Sequence, residues 1–371
     1  MNHIKKNVLV DTYHLNNSVS GIGTYTINLC LGIRKIKSND FQFIEFPKFE
    51  KSLKFNFFKG PISWEKKILS HLSYLIWKQI VLPIAAIYYK ADFIYSTDFI
   101  SPYFCTQKKI TVLHDTLFWE YPKNYNYFWR SYFVKLIELT LKKSDLILAT
   151  SNYTKTKIKK ILAPKCNIET VYQCAKALNK TNNSKAIYQN YLLHVGTFDN
   201  RKNIQTLVKA FSLIRKTFSD LNLVLVGSEG TSTTNTLFEE IKLLISDLKL
   251  EKCVYLTGYV TNNELSNLYE NASCYIFPSL DEGFGIPILE AQFFGLPVIV
   301  SNRGALSEIG GKGVLAFDSL DPVDLQSKVE SVLSDDKLRK NLIDKGLENF
   351  NRFNIENFTL HLIKALKTVQ D

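Results

Sequence analysis

The stretch that decides the fold reads Cys274-Tyr-Ile-Phe-Pro-Ser-Leu-Asp-Glu-Gly-Phe-Gly-Ile-Pro-Ile-Leu-Glu290. Its apolar start predicts a buried β-strand, and Pro287 suits the first turn of a helix that begins near Ile286. Gly283 and Gly285 between them let the backbone turn tightly and approach a ligand. A glycine-rich turn that leads into a helix N-terminus presents backbone amides to an anion, so this stretch predicts a phosphate-binding strand–turn–helix unit.

Two carboxylates bracket this unit. Glu282 precedes the predicted helix and Glu290 lies inside it, eight positions on, which corresponds to about 12 Å along a helix. That spacing suits contacts with opposite ends of an extended sugar–diphosphate–ribose. The alternative is a helix cap at Glu282 and a solvated Glu290, but apolar neighbours surround Glu290 and disfavour it.

Strand-like and helical stretches alternate along the whole 371-residue chain. Continuous apolar strands in such a series predict parallel sheets covered by helices on both faces, so the fold class is α/β. Two series in succession predict two doubly wound, Rossmann-like domains facing a cleft, over 1–175 and 186–352. The polar stretch Gln173–Asn190 marks their boundary.

The charge is divided unevenly between the two halves. Residues 1–185 contain 28 Lys or Arg and 12 Asp or Glu, whereas residues 186–371 contain 18 and 23. The positive half has no recognisable nucleic-acid motif, so no nucleic-acid partner is expected. Basic residues with interspersed tryptophans favour adsorption to an anionic membrane surface, and the alternative is a merely solvated lysine-rich surface.

The cysteines and the apolar runs indicate the compartment. None of the six cysteines forms a C-x-x-C pair, which favours free thiols in a reducing cytoplasm. The first fourteen residues lack the long apolar run of a signal peptide. The longest apolar stretch, Ile68–Tyr89, is interrupted by His71, Lys78 and Pro83. We interpret it as a buried helix rather than a membrane span.

Three further motifs place polar residues after predicted strands. His194-Val-Gly-Thr-Phe-Asp-Asn-Arg-Lys-Asn203 puts two adjacent cations before a helix, where they could neutralise a diphosphate. His114-Asp115 ends another strand, and a lone histidine there is more often structural than functional. The loop from Asp11 to Gly21-Ile-Gly-Thr-Tyr25 is glycine-rich, but G-x-G alone is a weak signal.

The stretch Glu282–Glu290 resembles the Glu-seven-residues-Glu motif of the retaining glycosyltransferases of family 4, which have the GT-B fold. Gly295–Ser301 and Gly304–Glu308 also match that family. The resemblance implies that Glu282 binds hydroxyls of a donor sugar and that Glu290 binds the nucleotide ribose. It also implies that the donor sugar and diphosphate meet backbone amides of Gly283, Phe284, Gly285 and Ile286.

The same resemblance assigns roles outside this motif. Arg201 and Lys202 would compensate the charge of the donor diphosphate, beside Gly196. Many relatives carry Arg at the Thr197 position, so more of this task would fall on Arg201. His114 would touch the donor sugar, the Gly21–Gly23 loop would close over the donor, and Asp11 and Asp115 would serve the acceptor side. Residues 353–371 would form a helix that returns to the first domain.

The resemblance therefore predicts a cytoplasmic, peripheral membrane enzyme that transfers a hexose with retention of configuration. The expected donor is GDP-mannose, and the expected acceptor is a surface polysaccharide or a lipid-linked glycan. No D-x-D pair is present, so no metal cofactor is expected. The alternatives are a UDP-sugar donor, a GT-B nucleotide-sugar epimerase or phosphorylase, and a catalytically inactive binding subunit.

Overall fold

The computed structural model describes residues 4–16, 21–54, 64–175, 178–180, 185–228 and 237–369. The chain divides into two compact units, which we call unit 1 (Met1–Cys174 with Asn354–Asp371) and unit 2 (Ala175–Phe353). The sequence predicts one domain over 1–175, a second over 186–352 and a final helix over 353–371. The last helix contributes its contacts to unit 1.

Unit 1 is built on a parallel sheet with the strand order β2-β1-β3-β4-β5-β6. Its strands are β1 (Lys6–Asp11), β2 (Phe41–Phe46), β3 (Phe93–Ser96), β4 (Lys108–Leu113), β5 (Leu146–Ala149) and β6 (Asn167–Thr170). Its helices are α1 (Gly21–Lys35), α2 (Phe49–Lys54), α3 (Trp64–Ile76), α4 (Leu82–Tyr88), α5 (Leu117–Glu120), α6 (Tyr127–Leu141), α7 (Asn152–Leu162) and, at the other end of the chain, α15 (Ile355–Lys367).

Unit 2 has a second parallel sheet with the order β12-β11-β10-β7-β8-β9. Its strands are β7 (Tyr191–Val195), β8 (Asn222–Val226), β9 (Val254–Gly258), β10 (Cys274–Phe277), β11 (Val298–Ser301) and β12 (Val314–Phe317). Its helices are α8 (Ile204–Ile214), α9 (Leu237–Asp247), α10 (Asn262–Asn271), α11 (Ile286–Phe293), α12 (Leu306–Gly310), α13 (Pro322–Ser334) and α14 (Asp336–Phe350). Two parallel sheets with helices confirm the predicted α/β class.

Each sheet changes its winding direction at one place. In unit 1 the neighbours at that place are β1 and β3, and in unit 2 they are β7 and β10. Open α/β sheets bind ligands outside the carboxyl ends of the strands at this switch point. The turns that follow these four strands are therefore where functional side chains are expected.

Both faces of each sheet are covered by apolar side chains, as parallel sheets require. In unit 2 the apolar faces of α8 and α13 bury one side of the sheet and those of α10 and α11 bury the other. In unit 1 the C-terminal helix α15 packs beside α1, where Phe358 and Leu362 join Tyr25 and Leu29 in one core.

The helical stretch Trp64–Tyr88 departs from expectation. It is helical, but between α3 and α4 it contains a π-helical turn, Trp77–Val81, just before Pro83. Pro83 has no amide hydrogen for the carbonyl of the preceding turn, which is a common cause of such irregularities. By length and composition Ile68–Tyr88 could cross a membrane, and only 22% of its most apolar window is buried. The expectation of a buried helix is wrong.

The burial expectation failed because this helix buries only one side. Its apolar residues continue around the helix, so their number indicates burial. The described residues of unit 1, however, cover only the side that carries Lys78, Leu82, Ala85 and Ala86. The opposite side exposes a large set of apolar side chains, namely Ile68, Leu69, Leu72, Ile76, Ile80, Ile84, Ile87 and Tyr88.

The buried side of this helix is held by an ion triad at the switch point of unit 1. The ammonium of Lys78, which is only 1% exposed, pairs with Asp11 at 2.6 Å and also with Asp98. Tyr74 donates to Asp98 Oδ2 at 2.7 Å, and Trp77 Nε1 donates to Asp11 Oδ1 at 3.0 Å. Burial alone would lower the pKa of Lys78, but the two aspartates outweigh it and raise this pKa, so the ammonium stays charged.

Replacing Lys78 by Met tests this anchor. The substitution leaves two buried aspartates without a counter-charge, and breaking a buried ion pair costs about 3–5 kcal/mol. We expect a loss of that size in the free energy of unfolding of unit 1, measured by urea denaturation. Adding Asp11→Asn and Asp98→Asn to Lys78→Met should recover part of the loss, and a loss unchanged in the triple variant would contradict the account.

Candidate functional site

The candidate site lies at the switch point of unit 2, in the turns that follow β7 and β10. After β7 the chain makes a 3-10 turn, Asn200–Lys202, which ends at Asn203 in the left-handed conformation with φ 53°. Backbone hydrogen bonding joins this turn to the loop after β10, because Leu280 N donates to Arg201 O at 2.7 Å. Asn203 Nδ2 also donates to the carbonyl of Pro278 at 3.2 Å. The two turns therefore form one connected structure.

Glu282 is the centre of this structure. Its Oε1 atom lies 2.5 Å from Arg201 Nη1 and 2.6 Å from Lys202 Nζ, and we call these three residues the Glu282 cluster. Burial would raise the pKa of Glu282, but the two cations outweigh it and lower this pKa to about 2. Glu282 is therefore ionised at neutral pH, so it can accept hydrogen bonds but cannot supply a proton.

A glycine fixes the backbone of Glu282. Gly304 has φ 64°, and a Cβ atom there would lie only 2.5 Å from Glu282 N and 2.9 Å from Glu282 O. Its neighbour Ala305 donates its amide to Glu282 O at 2.9 Å. Only glycine permits both the conformation and the close approach, which gives a physical reason for the Gly304-Ala pair noted in the sequence.

The predicted glycine-rich turn leads directly into α11. Gly285, with φ 116°, is the residue before the helix, and Pro287 lies in its first turn, as expected. Phe284 is buried, and its ring packs edge-on against Phe353 with the centroids 5.9 Å apart. The turn at Gly283–Ile286 therefore has the predicted strand–turn–helix form. The N-terminus of α11, which is the positive end of the helix dipole, follows Glu282 by four residues in the sequence.

Glu290 lies in the second turn of α11 and is only 5% exposed. Tyr269 of α10, itself fully buried, donates its hydroxyl to Glu290 Oε2 at 2.9 Å. This buried hydrogen bond orients the carboxylate, and it excludes the alternative of a solvated surface glutamate. The contribution of Tyr269 could not be found from the sequence, because Tyr269 is 21 residues away from Glu290 and α10 shows no motif.

His194 is a further buried polar residue of the site. It is fully buried in β7, and its Nδ1 lies 3.0 Å from the carbonyl oxygen of Ile276. Among the described residues Nε2 has no hydrogen-bond partner. A Cβ added at Gly196 would lie 3.2 Å from that Nε2 and 3.4 Å from Lys202 Cε. The bare backbone of Gly196 therefore leaves space beside both side chains.

The signal for His194 was present in the sequence. The strand Tyr191–Val195 is apolar except for this residue, and a polar residue at the end of such a strand points to the sheet edge where ligands bind. Burial is the largest influence on the pKa of His194 and lowers it to about 4. The imidazole is therefore neutral at pH 7.

His114, the predicted catalytic residue of unit 1, follows β4 and is buried between aromatic rings. Its Nε2 lies 2.8 Å from the carbonyl oxygen of Thr97, and its ring meets those of Tyr25 and Phe99 edge-on. Burial lowers its pKa to about 4. The neutral ring donates from Nε2, so Nδ1 is its hydrogen-bond acceptor.

The other predicted residues of unit 1 have different surroundings. Asp115 Oδ1 accepts the amide of Leu117 at 3.1 Å. Asp11 is buried in the ion triad with Lys78, so a contact with an acceptor would require these ion pairs to be exchanged. Gly21 and Gly23 lie in the first turn of α1, where a Cβ at Gly21 would meet open space and Gly23 is buried.

The chemistry available to unit 2 follows from these groups. Two cations and a helix N-terminus suit a diphosphate, while two buried carboxylates suit the hydroxyls of sugars. In the described part of the chain no three His, Cys, Asp or Glu side chains are grouped as metal ligands would be.

The pH dependence of stability tests the burial of His194. A histidine with a folded pKa near 4 binds a proton more readily when unfolded, where its pKa is about 6.5. Stability is therefore lost as the pH falls from about 6.5 to about 4, by up to about 3 kcal/mol for this residue. His194→Asn, which keeps a donor for the Ile276 carbonyl, should flatten the dependence in urea unfolding of unit 2.

Glu282 does not contribute to this pH dependence. Because its pKa in the folded state is about 2, its protonation lowers the stability only at pH values below about 4.5. An unchanged slope between pH 6.5 and 4.5 in the His194→Asn variant would show that the imidazole is not the group responsible.

Unit 2 is similar to a known protein family. The family model described as "Glycosyl transferases group 1" matches residues 176–349, which is nearly all of unit 2. "O-antigen chain mannosyltransferase B" of Escherichia coli is 29% identical over 276 residues, covering 70% of each chain. "O-antigen chain mannosyltransferase RfbU" of Salmonella typhimurium is 31% identical over 228 residues, covering 60% of each chain.

The solved structures extend the likeness to the whole chain. The sucrose-phosphate synthase of Thermosynechococcus elongatus matches with a TM-score of 0.74 over 98% of this chain and 99% of its own, at 18% identity. That identity supports the fold alone. Residues 176–349 thus match the glycosyl transferases group 1 family, and the chain has the GT-B fold that the sequence predicts.

Proposed function

We propose that this protein transfers mannose from GDP-mannose to a growing surface polysaccharide or a lipid-linked glycan, with retention of configuration and without a metal ion. The observation that carries the proposal is the Glu282 cluster, buried at the switch point of a group 1 domain. The choice of mannose rests on the two relatives named O-antigen mannosyltransferases.

The donor diphosphate binds to Arg201 and Lys202 in this proposal. The two side chains bring two positive charges to one oxygen of Glu282, and Arg201 also pairs with Asp199 at 3.5 Å. The two cations, which bind the phosphates in place of these carboxylates, and the N-terminus of α11 attract the diphosphate. These groups supply the charge compensation that a metal ion provides in other enzymes, so chelation with EDTA should leave turnover unchanged.

The two carboxylates bind the neutral ends of the donor. Glu282 is ionised at neutral pH and accepts hydrogen bonds from hydroxyls of the sugar. Glu290, held by Tyr269, accepts those of the ribose. As the family resemblance implies, His114 serves the sugar through its neutral imidazole, Gly21 and Gly23 in the first turn of α1 serve the donor, and Asp11 and Asp115 serve the acceptor side.

The transfer step that the family resemblance implies uses the same charges. The acceptor hydroxyl forms a bond to the anomeric carbon on the face from which the phosphate departs. Its proton moves to an oxygen of the leaving phosphate, so GDP and the mannoside are the products. Arg201 and Lys202 stabilise the negative charge that develops on the phosphate in the transition state.

A membrane partner completes the proposal. Residues 1–185 contain 16 more basic than acidic residues, and a lipid-linked acceptor would lie in an anionic bilayer. We therefore place the enzyme at the cytoplasmic face of the membrane, as a peripheral protein.

A thermal-shift panel of GDP- and UDP-sugars tests the donor. A ligand present at 100 times its dissociation constant stabilises the folded state by about 2.7 kcal/mol. For a unit of this size that corresponds to a rise of roughly 5–10 °C in the melting temperature. We expect GDP-mannose to give the largest rise, and a larger rise with a UDP-sugar would overturn the choice of donor.

Substitutions in the Glu282 cluster test the mechanism. Lys202→Met removes one charge-compensating group and Glu282→Gln removes the carboxylate, so each should reduce kcat by about 10²- to 10³-fold. Lys209→Met, at an exposed lysine of the same unit, is the matched control and should leave kcat unchanged.

Product analysis separates this proposal from its alternatives. NMR spectra of the product should show the anomeric configuration of the donor. Sugar released or epimerised without an acceptor, or a product formed only with inorganic phosphate, would favour an epimerase or a phosphorylase. Wild-type turnover in the Lys202→Met and Glu282→Gln variants would contradict the site assignment.

A further inference from the structure

The helix Trp64–Tyr88 presents a row of exposed aliphatic side chains, which we call the helix face: Leu72, Ile76, Ile80, Ile84 and Ile87. Their exposed fractions lie between 44% and 68%. Between Ile68 and Tyr88 the only Asp, Glu, Lys or Arg residue is Lys78, and it is buried on the opposite side. The helix face is therefore apolar and without formal charge over about four turns.

Neighbouring elements extend this apolar surface. The ring of Trp129 at the start of α6 lies 5.7 Å from that of His71 in α3. The amide of Tyr103 donates to Gln79 Oε1 at 2.9 Å and ties a loop to the π-helical turn. These two segments carry further exposed aromatic side chains, 71% to 82% exposed, namely Phe104, Tyr127 and Phe128.

Positive charge surrounds the same surface. Residues 64–143 contain eleven Lys or Arg and six Asp or Glu. Exposed Lys66 and Lys90 stand at the two ends of the helix, and exposed Lys142 and Lys143 follow α6. The ring of Tyr103 lies 5.9 Å from Lys143 Nζ, which places this lysine beside the loop that carries Phe104.

We propose that the helix face is the surface by which this protein docks on an anionic lipid bilayer, with the helix axis parallel to the membrane. Aliphatic residues in the centre suit the acyl chains, while tyrosines and lysines at the margins suit the headgroup level. A second copy of the chain is the less suitable occupant, because lysine is depleted in protein–protein interfaces. This inference deepens the membrane association in the proposed function and rests on it for the choice of lipid.

The anchorage of the helix explains why it lies on the bilayer and does not cross it. Crossing would pull Lys78 away from both aspartates and place its charge in the hydrocarbon, which is costly. It would also expose the core that Leu82 and Ala86 form with Leu9 of β1 and Ile94 of β3. The buried side of the helix therefore holds it to unit 1 while the opposite side remains available to lipid.

Vesicle sedimentation with the full chain tests the proposal. The probes are vesicles of phosphatidylcholine alone and of phosphatidylcholine with phosphatidylglycerol at 3:1. The test variant is Ile80→Gln, Ile84→Gln and Ile87→Gln combined. The control combines Leu243→Gln, Val323→Gln and Leu360→Gln, which are exposed to a similar degree (52% to 64%, against 54% to 68%) outside the helix face.

We expect the wild type and the control to bind the anionic vesicles equally and the helix-face variant to bind at least tenfold more weakly. High salt should weaken wild-type binding without abolishing it, because the apolar part does not depend on ionic strength. Equal binding of all three proteins, or no binding of the wild type, would overturn the proposal. A wild-type dimer in light scattering that the helix-face variant converts to monomers would assign the face to a second copy instead.

The donor panel distinguishes failure of this inference from failure of the proposed function. All three proteins should show the same thermal shift with GDP-mannose, because the helix face is in unit 1 and the Glu282 cluster is in unit 2. Vesicle binding without any donor shift would retain the docking surface and reject the proposed function. A thermal shift with GDP-mannose without vesicle binding would reject the docking surface and retain the donor assignment.

Discussion

The burial of one carboxylate organises unit 2. Glu282 can remain charged away from water only because Arg201 and Lys202 both reach it, so the turn after β7 and the loop after β10 must adopt their conformations together. The left-handed Asn203 and the close approach of Gly304 both serve this arrangement. A cluster held so firmly is organised before a ligand arrives, and such preorganisation makes electrostatic stabilisation of a leaving group effective.

The switch point of unit 1 has the opposite electrostatic character. There one ammonium, that of Lys78, lies between the carboxylates of Asp11 and Asp98, whereas in unit 2 one carboxylate lies between two cations. When Asp199, which also pairs with Arg201, is counted with these side chains, unit 1 carries a net negative charge at this place and unit 2 is balanced. An anionic diphosphate is therefore favoured in unit 2, which supports the assignment of the donor to that unit.

Much of this could be predicted from the sequence, because local patterns encode it. The strand–turn–helix at Cys274–Glu290 has its apolar run, glycines and proline next to one another, so its form follows from short-range chemistry. Tyr269 and Lys78 could not be found in this way, since each acts on a residue far away in the sequence. The helix at Trp64–Tyr88 was misjudged for a related reason: hydrophobicity shows what avoids water, but not which side another element covers.

The C-terminal helix has a consequence for the order in which the chain can fold. Phe358 and Leu362 of α15 complete the core around Tyr25 and Leu29, although more than 300 residues separate these partners. During synthesis the sequence of unit 2 leaves the ribosome before α15 does, so the core of unit 1 stays open on that side until α15 has emerged. Of these two units, the one whose sequence comes first is thus completed last, and until then it exposes an unfilled apolar surface.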